Sequence, residues 1–250
     1  MKSFNVGKYL IRLLDKSNPN EVEEIKRLRY KHLLQVYNEN LPDGGLDDDG
    51  YDEYSDTVMV IDTNENKICG AYRLATLKTT HGHKFLMEDE YDCTPLKSGD
   101  FDFCELSRAF VCKEYQNGVV ISLLFLAIYE YCKANNCKYF IGLCSFHGTN
   151  PDDYKNGLSL LKRDYSFTDY ELKAVRNSYK LDYYNNDEID SDKAKEELPG
   201  LLKMYLKFGC KVGFDGSIDY SFNCCDVLLV LDFDKLNKRY LDHFIRMANN

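Results

Sequence analysis

Between Phe101 and Cys112 the chain reads FDFCELSRAFVC, with aromatic and branched residues at the density of a buried strand. Lys113–Gly118 is polar and closes on Asn117-Gly118, a turn or helix-entry pair. Val119–Cys132 is then apolar on nearly every face, with Ser122 and Glu130 the main exceptions, which predicts a helix inside a larger core. Tyr139–Cys144 predicts the next strand. The stretch therefore reads strand, polar loop, buried helix, strand, a crossover unit around a sheet.

The rest of the pattern is filled in the same way. Val6–Leu14 predicts a first strand. Asn18-Pro19 supplies a cap and a first-turn proline, and Val22, Ile25 and Leu28 continue the helical spacing to about Tyr37. Thr57–Asp62 and Ile68–Leu77 predict a hairpin turning at Thr63–Asn66. Asp152–Arg163 and Thr168–Val175 read as short helices, and Tyr179–Asp192 as a mobile surface loop. Leu198–Phe208 reads as an amphipathic helix closed by Gly209, Cys210–Asp219 and Asp226–Phe233 as strands, and Asp234–Met247 as a closing helix. Interleaved strands and helices without a linker predict a single α/β domain over residues 1–250, a mixed central sheet flanked by helices.

One segment breaks the pattern. Glu105, Ser107 and Arg108 lie inside a strand that should be buried, and charges are rarely buried without a partner or a task. Arg73, in the second hairpin strand, either points to solvent or lines a site with Glu105. Arg29 reads as a surface cation on its helix. Leu41–Asp56 is acidic and glycine-containing, but its acids miss the offsets of a calcium loop, so it reads as solvated and no metal is assigned.

Composition narrows the choices. With 250 residues and 44% apolar content, a real core is expected. The longest apolar stretch, Val119–Cys132, is too short to span a bilayer, and the start lacks a signal-like apolar core, so the expectation is a cytoplasmic protein. A net charge of −9 argues against nucleic acid as a partner. The basic residues clump at Lys26, Arg27, Arg29 and Lys31 and again at Lys203, Lys207 and Lys211. They are either solvated faces or docking points for an acidic partner. The ten cysteines include no Cys-x-x-Cys pair, which favours reduced, buried thiols over structural zinc.

Several of these residues resemble a known family. Glu105-Leu106-Ser107-Arg108 followed by Tyr115-Gln116-Asn117-Gly118 and an apolar helix is similar to the N-acyltransferase branch of the GNAT superfamily, that of ornithine-lipid acyltransferases and N-acyl amino acid synthases. Cys144-Ser145-Phe146-x-Gly148-Thr149-Asn150-Pro151, Leu198–Gly209, Ile218-Asp219, Phe222, Asp226-Val227 and Arg239-Tyr240-Leu241-x-His243-Phe244 continue the likeness in order, from about Glu24 to Phe244. A more distant resemblance is to acyl-homoserine-lactone synthases, whose recurrent charged positions match Arg29, Asp49, Asp52, Arg73, Glu105, Ser107 and Arg108. Leu33 stands where that family has an aromatic, and the chain has no tryptophan. The helix-entry loop Gln116–Val120 carries one glycine where acetyl-CoA enzymes carry more.

The resemblance implies a GNAT-like fold and transfer of a long acyl chain, with or without a 3-hydroxyl, from a phosphopantetheine thioester to the amine of an amino acid such as ornithine, lysine or glycine. The donor is acyl carrier protein or acyl-CoA, and no cofactor is held permanently. Glu105 is then the base or an anchor for the amine, with Ser107 and Arg108 beside it. Arg73 and Arg108 hold the acceptor's carboxylate or brace the Asp49–Asp52 loop, while Arg29, Asp49, Asp52 and Arg73 form the acceptor side. Phe110, Val111, Asn117 and Gly118 follow the pantetheine, with backbone N–H groups of Ala109–Val111 facing the oxyanion. Phe110, Phe125 and Phe146 line an acyl slot or pack the core. The partners implied are acyl carrier protein, a small amine and, through an amphiphilic product, the membrane surface. The alternatives are a non-catalytic acyl or carrier-protein binding module on the same fold, and an acetyltransferase using acyl-CoA.

Overall fold

The computed structural model describes residues 1–239 together with Asp242 and Arg246. The closing helix expected from Asp234 does not start there, since Phe233–Lys235 is a single 3-10 turn, and Tyr240, Leu241, His243, Phe244, Ile245 and Met247 of the expected stretch lie outside the described residues. Two compact units carry the secondary structure, the first built mainly from Met1–Phe85 and Asp102–Cys137, the second from Leu86–Phe101 and Lys138–Asn237.

In the first unit, β1 (Phe4–Val6), β2 (Tyr9–Leu13), β3 (Asp56–Asp62), β4 (Lys67–Thr76) and β5 (Asp102–Val111) pair in that order, each antiparallel to the next. The single strand expected over Val6–Leu14 is split by a turn at Gly7-Lys8, so that Val6 pairs with Tyr9. Helix α1 (Pro19–Arg29) starts where its cap signal places it, with Asn18 Oδ1 accepting from the Glu21 N–H. The helical path continues to Tyr37 through a π-helical turn at Tyr30–Leu34. Helix α2 (Val119–Ala134) is the buried helix expected there, and its buried residues span Val120 to Cys132.

The two helices take opposite faces of this sheet. Ala71 of β4 and Phe110 of β5 form an apolar cluster with Ile25 of α1, Met59 and Cys112. On the other face Tyr72 meets Phe125 of α2 edge-on at 6.4 Å. Gly70 permits the close approach of α2, since a Cβ there would meet Phe110 O at 2.7 Å and Val120 Cγ1 at 3.0 Å. Phe110 and Phe125 therefore do not line one slot, because the sheet separates them.

In the second unit, β6 (Cys137–His147), β7 (Ser178–Tyr179), β8 (Lys211–Asp219) and β9 (Cys224–Asp232) form antiparallel pairs in the order β6-β9-β8-β7. Helices α3 (Lys155–Tyr165), α4 (Ser191–Glu197) and α5 (Gly200–Phe208) belong to this unit. Thr168–Val175 is not the helix expected. Its backbone is drawn outward, with Leu172 O accepting from Phe214 N–H and Val175 N–H donating to Glu90 O, so no local helical ladder forms. The stretch expected as a loop over Tyr179–Asp192 ends in the first turn of α4, capped by Asp190 Oδ1 from the N–H groups of Asp192 and Lys193. All ten cysteines are buried free thiols. No helix among the described residues is long and apolar enough to cross a membrane.

Candidate active site

The charged residues singled out in the sequence converge in the first unit, at one end of the face that carries Phe110. Register explains part of this. Arg73 pairs with Ser107 and Ala75 with Glu105, so the side chains of Arg73, Glu105 and Ser107 leave the β4–β5 ladder on one side. Two residues further along β4, Ala71 pairs with Phe110. Three steps on β5 thus oppose two on β4, a bulge at Arg108-Ala109. Arg108 adopts φ 52°, the left-handed region that few side chains enter. The bulge re-aims Arg108. In a regular strand it would face away from Ser107, yet both residues reach the same network.

That network is built on the loop between α1 and β3. Asp49 receives both terminal nitrogens of Arg73, at 2.6 and 2.8 Å, and Arg108 Nη2 at 2.9 Å. Asp52 receives Arg29 through both oxygens at 2.7 and 2.6 Å. Asp47 Oδ2 accepts from Arg108 Nε at 3.0 Å, and Arg29 Nε stands 3.0 Å from the same oxygen. Arg73 Nε donates to Ser107 Oγ at 3.0 Å. Planar guanidinium forks match carboxylates in this way, and the low local dielectric strengthens each contact.

Burial makes the network consequential. Arg29 is 1% exposed and Arg73 2%, so Arg29 is no surface cation and Arg73 does not point to solvent. Burial raises the Asp49 carboxyl, but the Arg73 fork with Arg108 beside it more than offsets this and holds Asp49 well below the usual carboxylate range. Asp52 follows the same logic, burial opposed by Arg29 and Arg73, and is also lowered. Burial lowers Arg73, while Asp49, Asp52 and Glu105 more than restore it, and its protonated form gains. Glu105, 3% exposed, adds its charge to the same side of the ladder.

The forks of Arg73 and Arg108 are therefore filled by the chain's own carboxylates, which favours the loop-bracing alternative over capture of a substrate carboxylate. Asp49 and Asp52 are likewise engaged by arginines. The Leu41–Asp56 segment is no freely solvated loop, since its acids knit α1 to β4 and β5. Asp47, 3% exposed, was not singled out in the sequence. The signal was present, because three arginines on buried elements call for more carboxylates than Asp49 and Asp52 supply.

The other expected positions are distributed along β5 and the entry to α2. Phe110 packs in the apolar cluster and stacks on His32, with centroids 6.2 Å apart. Asn117 is exposed and its Oδ1 accepts from the Val119 N–H at 3.1 Å. Gly118 caps α2 with φ 91° and brings no side chain to the first turn, so beyond the Val119 N–H, which Asn117 takes, that helix N-terminus can face an anion. Gln116 Nε2 ties the loop to Val111 O at 3.1 Å. Phe146 lies in the second unit, against Tyr154 at 4.8 Å. Of the Lys26–Lys31 clump, Lys26 pairs with Asp48, Arg27 with Glu23, and Arg29 is buried, so little of it remains to dock a partner. Among the described residues no group of three or more His, Cys, Asp or Glu is placed to hold a metal ion.

Residues 28–126 match the model of an acetyltransferase (GNAT) domain. The chain is 30% identical over 215 residues to the L-ornithine N(alpha)-acyltransferase of Brucella abortus, covering 81% of this chain and 76% of that protein. It is 27% identical over 248 residues to the enzyme of the same name from Rhodobacter capsulatus, covering 95% of both. In fold it is similar to the CoA-dependent acyl-homoserine lactone synthase BjaI solved with SAM and isopentyl-CoA, with a TM-score of 0.55 at 13% identity over 95% of this chain and 88% of that one.

Proposed function

Because the chain belongs to the L-ornithine N(alpha)-acyltransferase family of GNAT-fold proteins and is an N-acyltransferase, we propose that it moves a long acyl chain from acyl carrier protein to the α-amine of ornithine or a similar amino acid. The observation that supports this best is the placement of Glu105, a carboxylate on the inner face of β5 inside a frame of arginines and aspartates.

In this reading the free amine attacks the thioester carbonyl. A C–N bond forms, and the C–S bond breaks as the tetrahedral intermediate collapses. Glu105 takes the proton that the nitrogen sheds, and the pantetheine leaves as a thiol after regaining a proton. The Arg29, Arg73 and Arg108 forks with Asp47, Asp49 and Asp52 hold β5 and the α1–β3 loop in register, which keeps Glu105 and Ser107 in place. The bulge takes Arg108-Ala109 out of the regular ladder, and backbone N–H groups there and at Phe110 or Val111 are the donors assigned to the oxyanion. The open N-terminus of α2 at Gly118 receives the phosphate end of the pantetheine.

Carrier protein is favoured over CoA by the single-glycine loop and by Lys203, Lys207 and Lys211, three basic residues of the second unit. An acidic carrier is drawn to such a patch by local complementarity, despite the chain's net charge of −9. The experiment is product profiling. Purified protein is given a long-chain acyl carrier protein or the matching acyl-CoA, with ornithine, lysine, glycine or alanine, and amides are identified by mass spectrometry. An N-acyl ornithine formed faster from the carrier protein supports the proposal. Bound acyl species without product would favour a binding module, and turnover of acetyl-CoA alone an acetyltransferase.

A further inference from the structure

The second unit contains a polar group that the acyl-transfer reading leaves unused, although three of its members, Ser145, Asp219 and Asp226, belong to the motifs singled out in the sequence. They come from different strands. Ser145 of β6 pairs with Asp226 of β9, which pairs with Ser217 of β8. One step along on the same face, His147 pairs with Cys224 and Cys224 with Asp219. The result is two rows of polar side chains on one side of a three-strand ladder.

The contacts inside this shelf are unevenly satisfied. Asp226 is buried and accepts from Ser145 Oγ at 2.5 Å and Cys224 Sγ at 3.1 Å. Asp219 Oδ1 accepts from Ser221 Oγ and from the N–H groups of Ser221 and Phe222. Glu90 lies against this shelf, hydrogen-bonded to Ser217 and facing Asp226, Asp219 and Arg176. It is 5% exposed, and its Oε2 is buried without a hydrogen-bond partner. The cation beside the shelf is loosely placed, with Arg176 Nη2 3.9 Å from Glu90 Oε1 and 3.7 Å from Asp219 Oδ2 and its side chain 45% exposed.

Two carboxyl groups, Glu90 and Asp219, thus share one half-exposed guanidinium beside the buried Asp226, and Glu90 Oε2 accepts nothing. A buried, unsatisfied acceptor is disfavoured unless something fills it. These carboxylates are not placed to hold a metal ion among the described residues, which leaves an organic cation as the matching chemistry. A primary ammonium carries three N–H donors on a compact head and suits a set of converging carboxylate oxygens. We propose that the Glu90–Asp219–Asp226 shelf binds a primary alkylammonium group, of the kind a diamino acid carries at the end of its side chain. Arg176 gives way to the ligand, and Glu90 Oε2 accepts from it. The functional reading above enters only in the choice of ornithine as probe.

Burial, with Asp226 and Asp219 adding to it, pushes the Glu90 carboxyl up to about 8, so at pH 7 the free protein holds a proton there. An ammonium seated on Oε2 favours the ionised form and releases that proton. The test is calorimetric titration of the full chain, without donor, in buffers of different ionisation enthalpy. The probes are ornithine and norvaline, which differ in the terminal ammonium. The wild-type protein is expected to bind ornithine at least about tenfold more tightly than norvaline and to release close to one proton at pH 7. Glu90→Gln is expected to remove both the preference and the proton release, while leaving norvaline binding unchanged. Equal binding of the two probes by the wild type, which needs no variant, overturns the proposal, as does a Gln variant that keeps the preference. Failure of acyl transfer in product profiling would sink the functional reading and leave this binding result standing.

Discussion

Asp49→Asn tests whether the arginine–aspartate frame holds the first unit together. The substitution keeps the side chain's volume but removes the charge that faces Arg73 at 2.6 and 2.8 Å and Arg108 at 2.9 Å. Each charge pair at that separation is worth about 4 kcal/mol at the effective dielectric of a protein site. Much of this offsets the desolvation of the ions, and Arg73 keeps Ser107 Oγ at 3.0 Å and Asp52 at 3.4 Å. Removing one partner of a buried pair costs ~3–5 kcal/mol, and the lower end applies here because Asp49 is 16% exposed. A loss of about 3 kcal/mol lowers the melting temperature of a chain this size by roughly 6–12 °C. Acid adds a second signature. The Asp49 carboxyl is depressed in the folded state, so its contribution is fully present above the unfolded value of about 4 and is lost as pH falls through the folded value. The wild type should therefore weaken below about pH 4 more steeply than the variant. The assay is thermal unfolding by circular dichroism at several pH values, with Lys195→Ala, which breaks an exposed pair to Asp192, as the control. A melting temperature within about 2 °C of wild type would refute the reasoning.

Further outcomes follow from the same geometry. Gly118→Ala places a Cβ on a residue at φ 91°, costs about 1–2 kcal/mol, and should raise KM for the thioester donor more than it lowers kcat. Reversing Lys203, Lys207 and Lys211 to Glu should raise KM for acyl carrier protein severalfold at low salt and leave acyl-CoA turnover unchanged, as steady-state kinetics at two ionic strengths would show. For Glu90 the native state holds a proton that the unfolded state releases, so wild-type stability falls as pH rises from about 4.5 towards 8. Glu90→Gln should flatten that fall in thermal melts.

Much of this arrangement was readable before any coordinates. Asn18-Pro19 places the start of α1, the apolar run after Gly118 places α2, and the charged trio in FCELSRAF marks β5 as a buried strand carrying charge, because each signal is local. What escaped the sequence depends on distant partners. The bulge at Arg108 appears only when β5 is set against β4, since a strand's own alternation says nothing of the extra residue. Arg29 reads as a surface cation until Asp47 and Asp52 close over it. Thr168–Val175 has a helical look but bonds to β8 and Glu90 instead, a tertiary preference that overrides local spacing. Phe110, Phe125 and Phe146 have the chemistry of an acyl slot, yet the first two fall on opposite faces of one sheet.

The role given to Glu105 is open to one direct measurement. Thiol release from a long-chain acyl carrier protein is followed with ornithine as acceptor, for the wild type and for Glu105→Gln, with circular dichroism establishing that both are folded. Loss of the proton acceptor should reduce kcat by about 10²–10⁴-fold with little change in either KM. A folded Gln variant that turns over within about threefold of wild type would contradict it.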